Sequence, residues 1–249
     1  VALARVHGSE AGASFDILAR FESEDTRSHA EVMAPFAHAA LQEAGVRGEE
    51  LDAILTGTGP GPFTGLRAGI VTARALGFAW SVSVYGMMSL TALAERAYQE
   101  RVFAQGGGAG EAEGAELLVA SDARRREVYS ARYRVNTEGY SLVDGPTVSP
   151  ASEILPGEGP SYAYGYGAGL YAETLRELGW DLVEAGEGIH PHAEYLLAAA
   201  ARRGLDALSL DTSALYLRDS DAKIPAAMLA RQQKQAARAT AQTVGQREG

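Results

Sequence analysis

The sequence has no cysteine among its 249 residues. This absence excludes disulfides, thiolate metal ligands and cysteine nucleophiles, and it is typical of proteins in a reducing compartment. No apolar run reaches the roughly 18 residues that a membrane-spanning helix needs, and no charged-then-apolar signal opens the chain. We therefore expect a cytoplasmic protein with no membrane contact. The chain begins at Val1 and not at methionine, so we also expect that it is trimmed.

Basic residues are scarce as well. The chain carries 22 Lys and Arg against 32 Asp and Glu, a net charge of −10. Such a surface repels phosphate, so the body of the protein is not expected to hold nucleic acid by itself. Residues 222–249 differ, because they are rich in Ala and Gln and carry five basic residues and one acidic residue. We interpret residues 219–249 as a basic tail, and its contact with RNA or an acidic partner is a hypothesis.

The periodicity of apolar residues divides the rest of the chain into two α/β halves with similar element order, residues 1–104 and 116–218. A glycine-rich segment, residues 105–115, separates them as a linker or mobile loop. The second half shows three strands before its main helix and the first half only two, which predicts that one strand is missing at the N-terminus. Strands are predicted at residues 1–6, 15–21, 51–56, 81–85, 116–120, 127–135, 140–148, 162–164, 181–184 and 214–218. Helices are predicted at residues 28–44, 63–80, 89–99, 151–155, 170–178 and 191–203.

Residues 57–69 (GTGPGPFTGLRAG) follow a predicted strand and open a predicted helix. Backbone amides cradle phosphates at this position in many α/β folds. A phosphate-binding loop would place a lysine after its last glycine, whereas Leu66 follows Gly65 here. Pro60 and Pro62 also remove two amide donors. The alternative is a tight turn that allows close packing of helix on sheet.

Small residues recur every four positions in the predicted helix 63–80. Glycine inside a helix costs about 1 kcal/mol relative to alanine, so three glycines in one helix need a reason, and close packing is the usual one. The stripe packs either on the chain's own sheet or against a helix of a second subunit, and the residues alone do not decide between the two. Its members are Gly65, Gly69, Ala73 and Gly77.

No pattern indicates a catalytic or metal centre. His190 and His192 lie near a predicted helix start, but the sequence places no full ligand set at metal-binding spacing. A solvated helix cap explains them better. A serine hydrolase would need a Gly-x-Ser-x-Gly elbow, which the sequence lacks.

Residues 122–129 (DARRREVY) place three arginines together between two predicted strands. One interpretation is a contact with an anion or with tRNA. The other is a charged hairpin rim that nearby acids balance.

With these motifs in hand, the sequence resembles the TsaB (YeaZ) family, whose members assist formation of threonylcarbamoyladenosine in tRNAs that read codons beginning with adenine. The resemblance implies an actin/sugar-kinase/Hsp70-like α/β fold of two ribonuclease H-like halves with mixed sheets. Family members begin with a strand that ends in Asp-Thr-Ser, which is missing here. Four stretches carry the resemblance in the family's order, and the second is highly specific. They are residues 27–35, 59–67 with the following helix, 122–129 and 216–218.

The resemblance also implies a subunit with no transferase activity, cofactor or metal of its own. Its partners would be a homologous catalytic subunit (TsaD), which holds ATP and metal, and an ATPase subunit (TsaE), with tRNA bound only by the complex. The same helical face would serve a homodimer in isolation. The alternative is an ATP-dependent phosphoryl or carbamoyl transferase of the same superfamily, which we discount because the turn is rich in proline and the first-strand acid is absent.

The family's pairing surface is a bundle built from the first two helices of each partner. In this chain those helices would be residues 28–44 and 63–80. The predicted partner-binding residues are therefore His29, Met33, Phe36, Gly65, Leu66, Gly69, Ile70, Ala73 and Gly77. The weak candidates for binding a cofactor are Gly59 and Gly61.

Overall fold

A computed structural model describes residues 1–8, 10–23, 29–104, 113–136, 139–184 and 189–218. Val1–Leu217 form one compact unit. Of the second unit, Arg218–Gly249, only Arg218 is described, so the predicted basic tail lies outside the described residues. Most of the predicted linker, residues 105–115, lies outside them too.

The N-terminal part of the main unit consists of four strands and three helices. They are β1 (Ala2–His7), β2 (Ser14–Arg20), α1 (His29–Ala44), β3 (Ile54–Gly57), α2 (Phe63–Trp80), β4 (Val84–Met87) and α3 (Leu90–Ala104). β1 and β2 form an antiparallel pair. β3 and β4 are parallel, and α2 supplies the crossover that a parallel pair requires. Among the described residues no strand joins these two sheets.

The C-terminal part builds one mixed sheet. Its elements are β5 (Glu116–Asp122), β6 (Val128–Asn136), β7 (Gly139–Ser149), β8 (Ser161–Tyr164), α4 (Tyr166–Leu170), α5 (Ala172–Glu177), β9 (Asp181–Glu184) and α6 (Ala193–Arg203). The strand order is β7-β6-β5-β8-β9. β6 is antiparallel to both β5 and β7, whereas β8 is parallel to β5 and β9 is parallel to β8. Leu118 and Val119 of the central strand β5 are fully buried.

Helix packing links the two parts. On one face of the five-stranded sheet, Leu90 and Leu93 of α3 pack with Leu117 and Tyr133. On the other face, α4 and α5 contribute to a second apolar cluster with Leu118. α6 follows the second sheet in sequence, yet it contacts α3, β1, β2 and β3. The strands of each half are therefore covered in part by a helix that the sequence assigns to the other half.

Several predicted elements differ from the structure. The strands predicted at residues 51–56 and 81–85 begin three residues later, at Ile54 and Val84, and the helix predicted at residues 151–155 is a single 3-10 turn, Ala151–Glu153. The predicted helix 170–178 is two short helices, because Tyr171 between them leaves helical geometry with φ −122° and ψ 30°. α3 continues to Ala104, five residues past the predicted end. The prediction of a strand at residues 214–218 is wrong. That segment runs along the turn after β3 and has a backbone hydrogen bond from Leu215 to Thr58 instead of a strand ladder.

Candidate partner-binding surface

The C-terminal part of the small-residue stripe on α2 faces the chain's own sheet. Ile70 is 5% exposed and Ala73 is 8% exposed. Gly77 is buried, and a Cβ built there would overlap the side chain of Val84 and lie 2.8 Å from the carbonyl oxygen of Val82. Gly77 therefore allows α2 to approach β4 closely, which is one of the two explanations that the sequence left open.

The N-terminal part of the stripe, Gly65 and Gly69, faces α1 and the turn that precedes α2. A Cβ built on Gly69 would lie 3.7 Å from Sδ of Met33, an ordinary contact between the two helices. Leu66 packs on the turn, since its Cδ2 lies 2.9 Å from a Cβ built on Gly59. The Phe36 ring of α1 packs against Phe21 with ring centroids 5.7 Å apart. Gly65 is half-buried, and the side chain of His29 lies outside the described part of the chain.

The opposite side of α2 is open to solvent and exposes large apolar side chains beside Arg67 and Arg74. Phe78 is 90% exposed and Val71 is 62% exposed, and Ala75 between them is exposed as well. We call these three residues the outer α2 face, because their spacing places them on one side of the helix. α2 carries only Arg67 and Arg74 as charged residues, and a helix that is apolar on all sides is normally buried. Apolar patches left exposed on such a helix mark contact sites.

A polar strip on α1 accompanies the outer α2 face. The ring of His38 meets Trp80, near the end of α2, edge-on with centroids 5.6 Å apart. An apolar centre with a polar border is the usual composition of a protein–protein interface. The exposed residues of the strip are Glu31, Pro35, His38 and Gln42.

The turn between β3 and α2 uses its amides inside the chain. The amide of Thr58 donates to the carbonyl of Met87 at 2.8 Å. The amide of Gly59 donates to the hydroxyl oxygen of Ser89 at 3.0 Å, and Gly59 has φ +96°, a conformation that favours glycine. Two donors that a phosphate cradle would need are therefore committed. The weak candidates Gly59 and Gly61 gain no support as cofactor ligands, and the absence of a cofactor stays a prediction.

The second and fourth family motifs meet at the start of α2. Nε of Arg67 donates to the hydroxyl of Tyr216 at 2.8 Å, and its guanidinium carbon lies 5.4 Å and 5.3 Å from the ring centroids of Phe63 and Tyr216. Two turns further along α2, Nε of Arg74 donates to the hydroxyl of the buried Thr212 at 2.7 Å. Residues 209–217 are thereby held along α2, a long-range contact that local patterns do not predict.

The third motif forms the tip between β5 and β6, and we call Arg124, Arg125 and Arg126 the arginine hairpin. Their φ angles are 62°, 57° and 64°, in the left-handed region that costs roughly 1–2 kcal/mol for each residue with a side chain. The carboxylate of Asp122 accepts from the amide of Arg124 at 2.7 Å. All three arginines are exposed, so the tip is a basic projection from an acidic protein.

Among the described side chains, the two histidines of the predicted cap have no third ligand with which to form a metal site. His190 packs on Tyr166 with centroids 4.9 Å apart, and burial, followed by the charge of His192, lowers its pKa. His192 occupies the N-cap position of α6 and lies 3.7 Å from the carboxylate of Glu22. Within the described ranges no three His, Asp or Glu side chains could hold a metal ion. No described helix is long and apolar enough to cross a membrane.

Comparison with known proteins identifies relatives over most of the chain. The sequence model of the family described as TsaD, tRNA N6-adenosine threonylcarbamoyltransferase, matches residues 16–226. An uncharacterised protein of Mycobacterium leprae is 36% identical over 206 residues, which cover 83% of this chain and 49% of that protein. The tRNA threonylcarbamoyladenosine biosynthesis protein TsaB of Escherichia coli is 28% identical over 183 residues, 71% of this chain and 73% of that protein. The chain spans about half the length of its mycobacterial relatives.

Comparison with solved structures identifies the same group of proteins. The structure titled YeaZ from Pseudomonas aeruginosa superposes with a TM-score of 0.64 at 30% identity, covering 87% of this chain and 99% of that one. The mixed sheet and its flanking helices therefore define a member of the actin/sugar-kinase/Hsp70-like fold class, as predicted. The chain belongs to the TsaD family, and its resemblance to proteins named TsaB and YeaZ is confirmed.

Proposed function

We propose that this chain is a non-catalytic subunit in the threonylcarbamoylation of the adenosine next to the anticodon of tRNA. It acts by binding and activating a homologous catalytic subunit of the TsaD type. Relatives named for threonylcarbamoyladenosine biosynthesis support the pathway. The observation that carries the partner role is the outer α2 face, with Phe78 90% exposed.

The outer α2 face suits a second helix pair. Burying one aromatic or large aliphatic side chain contributes about 1.5–3 kcal/mol, and Phe78 and Val71 are both available. Because α1 and α2 already pack at Gly69 and Met33, they present a two-helix surface onto which another helix can lay its ridges. A homologue with the same two helices would match it, which favours the catalytic subunit as the occupant.

The predicted stripe keeps a supporting role under this proposal. Ala73 and Gly77 fix α2 on the chain's own sheet, and that position turns Val71 and Phe78 outward. The direct contact of Ile70, Ala73 and Gly77 with a partner stays a prediction, but these residues are buried here. A test of partner binding should therefore change residues of the outer α2 face.

The proposal assigns the chemistry to the partner. Two amides of the turn are committed within the chain, which supports the absence of a nucleotide site here. ATP and metal then belong to the catalytic subunit, the ATPase subunit joins through the complex, and tRNA is bound by the assembled complex in the cytoplasm.

The test changes Phe78→Glu and measures the affinity for the TsaD-type subunit of the same organism by titration calorimetry. A charge in the centre of an apolar interface should weaken binding by at least about 30-fold. The matched control is Leu155→Glu. Leu155 follows β7 and is 62% exposed, so this variant should bind the partner with unchanged affinity. Equal affinity of the Phe78→Glu variant and the unchanged chain would overturn the partner role of this face.

A homodimer in isolation is the second candidate, and the same exposed face favours it. Sedimentation equilibrium of the chain alone measures it, and Phe78→Glu should shift any dimer to monomer. The transferase alternative has its own test, because the chain alone, given tRNA and threonylcarbamoyl-AMP, should form no modified nucleoside. Product formation by the purified chain would overturn the non-catalytic assignment.

A further inference from the structure

We propose that the arginine hairpin is a contact site for the phosphate backbone of RNA. The choice of tRNA as the ligand rests on the proposed function, whereas the site is a different surface from the outer α2 face. Arg124, Arg125 and Arg126 are consecutive and all have positive φ, where glycine, asparagine and aspartate are the favoured residues. The turn has arginine at all three positions, so backbone preference does not explain the residue type.

The arginine hairpin is held in one shape before any ligand arrives. The amide of Glu127 donates to the carbonyl of Arg124 at 3.0 Å, and the amide of Ala123 donates to the carbonyl of Glu127 at 3.0 Å. Ala123 and Val128 on either side are 4% and 1% exposed, which anchors both ends in the core. A loop fixed in this way loses little conformational freedom on binding.

Charge then selects the ligand. The guanidinium of Arg124 lies 3.1 Å from the carboxylate of Asp122, but its side chain is 84% exposed, and such surface pairs contribute little. The turn places three exposed arginine side chains next to one another in a chain whose net charge is −10. Guanidinium groups bind phosphate in a bidentate manner, so phosphate is the anion that the residues fit.

The shape of the site favours a polymer over a small molecule. Small ligands bind in concave pockets that bury most of their surface, whereas these arginines sit on a projecting hairpin tip. A chain of phosphates can contact several of them in succession, and such contacts dominate affinity for nucleic acid. The RNA backbone is therefore the ligand we assign to the arginine hairpin.

The experiment uses the full chain and a fluorescently labelled transcript of a tRNA that reads a codon beginning with adenine. Anisotropy is measured with the chain alone and with the chain plus its catalytic homologue. The test variant combines Arg124→Gln, Arg125→Gln and Arg126→Gln. We expect about 30-fold weaker binding at low salt, and the slope of log affinity against log salt should fall by about 2 to 3. A triple change to lysine keeps the charge but loses the bidentate hydrogen bonds, so it should keep the salt slope of the unchanged chain while weakening binding less than the glutamine variant does.

The control removes the same charge elsewhere. Arg5→Gln, Arg47→Gln and Arg176→Gln change three exposed arginines on other elements and should leave binding within about threefold. Unchanged affinity in the test variant, an equal loss in the control, or displacement of the RNA by an equimolar amount of ATP would each overturn the proposal. If the chain does not join the catalytic homologue, the proposed function fails. If the complex forms but the test variant in it binds RNA as tightly as the unchanged chain does, only the proposal for the arginine hairpin fails.

Discussion

The two halves of this protein differ in how completely their sheets are built. The C-terminal sheet has a central strand, β5, with a neighbour on each side and helices on both faces. The described N-terminal part has two separate strand pairs and no strand between them. Residues 117–120 of β5 are all buried, whereas β1 has no buried residue. The second half therefore carries most of the core, and the first half depends on helices packed around its strands.

This difference relates to function. The exposed large apolar residues of the second half lie on different elements, such as Val143 on β7 and Leu170 on α4. The first half instead places α1 and α2 at the surface, with Val71 and Phe78 exposed. The structure thus separates a half with the larger core from a half with an exposed apolar helix face, and α3 and α6 connect the two.

The largest expected effect lies at that connection, in a network around Glu95 of α3. Its side chain is fully buried and accepts from Nε and Nη2 of Arg202 on α6 at 2.9 Å and 2.6 Å. It also accepts from the hydroxyl of Tyr140 on β7 at 2.9 Å. Glu95→Ala leaves a partly buried guanidinium without its partner, so it should lower the free energy of unfolding by about 4 kcal/mol.

Urea denaturation at neutral pH measures this loss, and the two tryptophans show where it acts. Trp80 lies on α2, and Trp180 is buried beside the second sheet. If the network connects the halves, the Glu95→Ala version that keeps only Trp80 and the version that keeps only Trp180 should show different midpoints of unfolding. The exposed Glu49→Ala is the control and should change stability by less than about 0.5 kcal/mol. A loss below about 1 kcal/mol for Glu95→Ala would show that the network is not the connection.

The next largest effect compares the two sheets directly. Leu118 of β5 is fully buried, so Leu118→Ala should cost about 3 kcal/mol through lost burial and the cavity left behind. Leu3 occupies a strand of the N-terminal pair and is only half-buried, so Leu3→Ala should cost about 1 kcal/mol. Thermal and urea unfolding of both variants give the two values. Equal losses would contradict the view that the C-terminal sheet carries most of the core.

Much of the fold was predictable because it follows local patterns. α2 and β9 have the predicted bounds, since helical and strand periodicity are strong there. The packing of α3 on the second sheet and of α6 on the first was not predictable, because nothing in either helix states which sheet it covers. The path of residues 209–217 along α2 was missed for the same reason, since it depends on contacts from Arg67 and Arg74 to distant residues.

The helix that carries the outer α2 face was predicted, whereas the exposure of that face was not. α2 is apolar on nearly all sides, so its sequence does not tell the inner side with Ala73 from the outer side with Phe78. The available signal was the helical spacing of Val71, Ala75 and Phe78, beside a stripe of small residues that already explained the packing. The left-handed arginines were equally hidden, because no local rule predicts positive φ at arginine.

The smallest expected effect is a dependence on alkaline pH that arises in the second sheet. Burial raises the pKa of Tyr133 to about 12. Because this pKa lies above that of the unfolded chain, the stability from keeping the phenol neutral is fully present below pH 10 and is lost as the pH rises from about 10 to about 12. Relative to pH 9, the unchanged chain at pH 11 should therefore lose about 1 kcal/mol more than the Tyr133→Phe variant. Urea unfolding followed by Trp180 fluorescence measures both. Parallel losses would show that Tyr133 ionises as readily in the folded sheet as in the unfolded chain, which its burial at 0% exposure argues against.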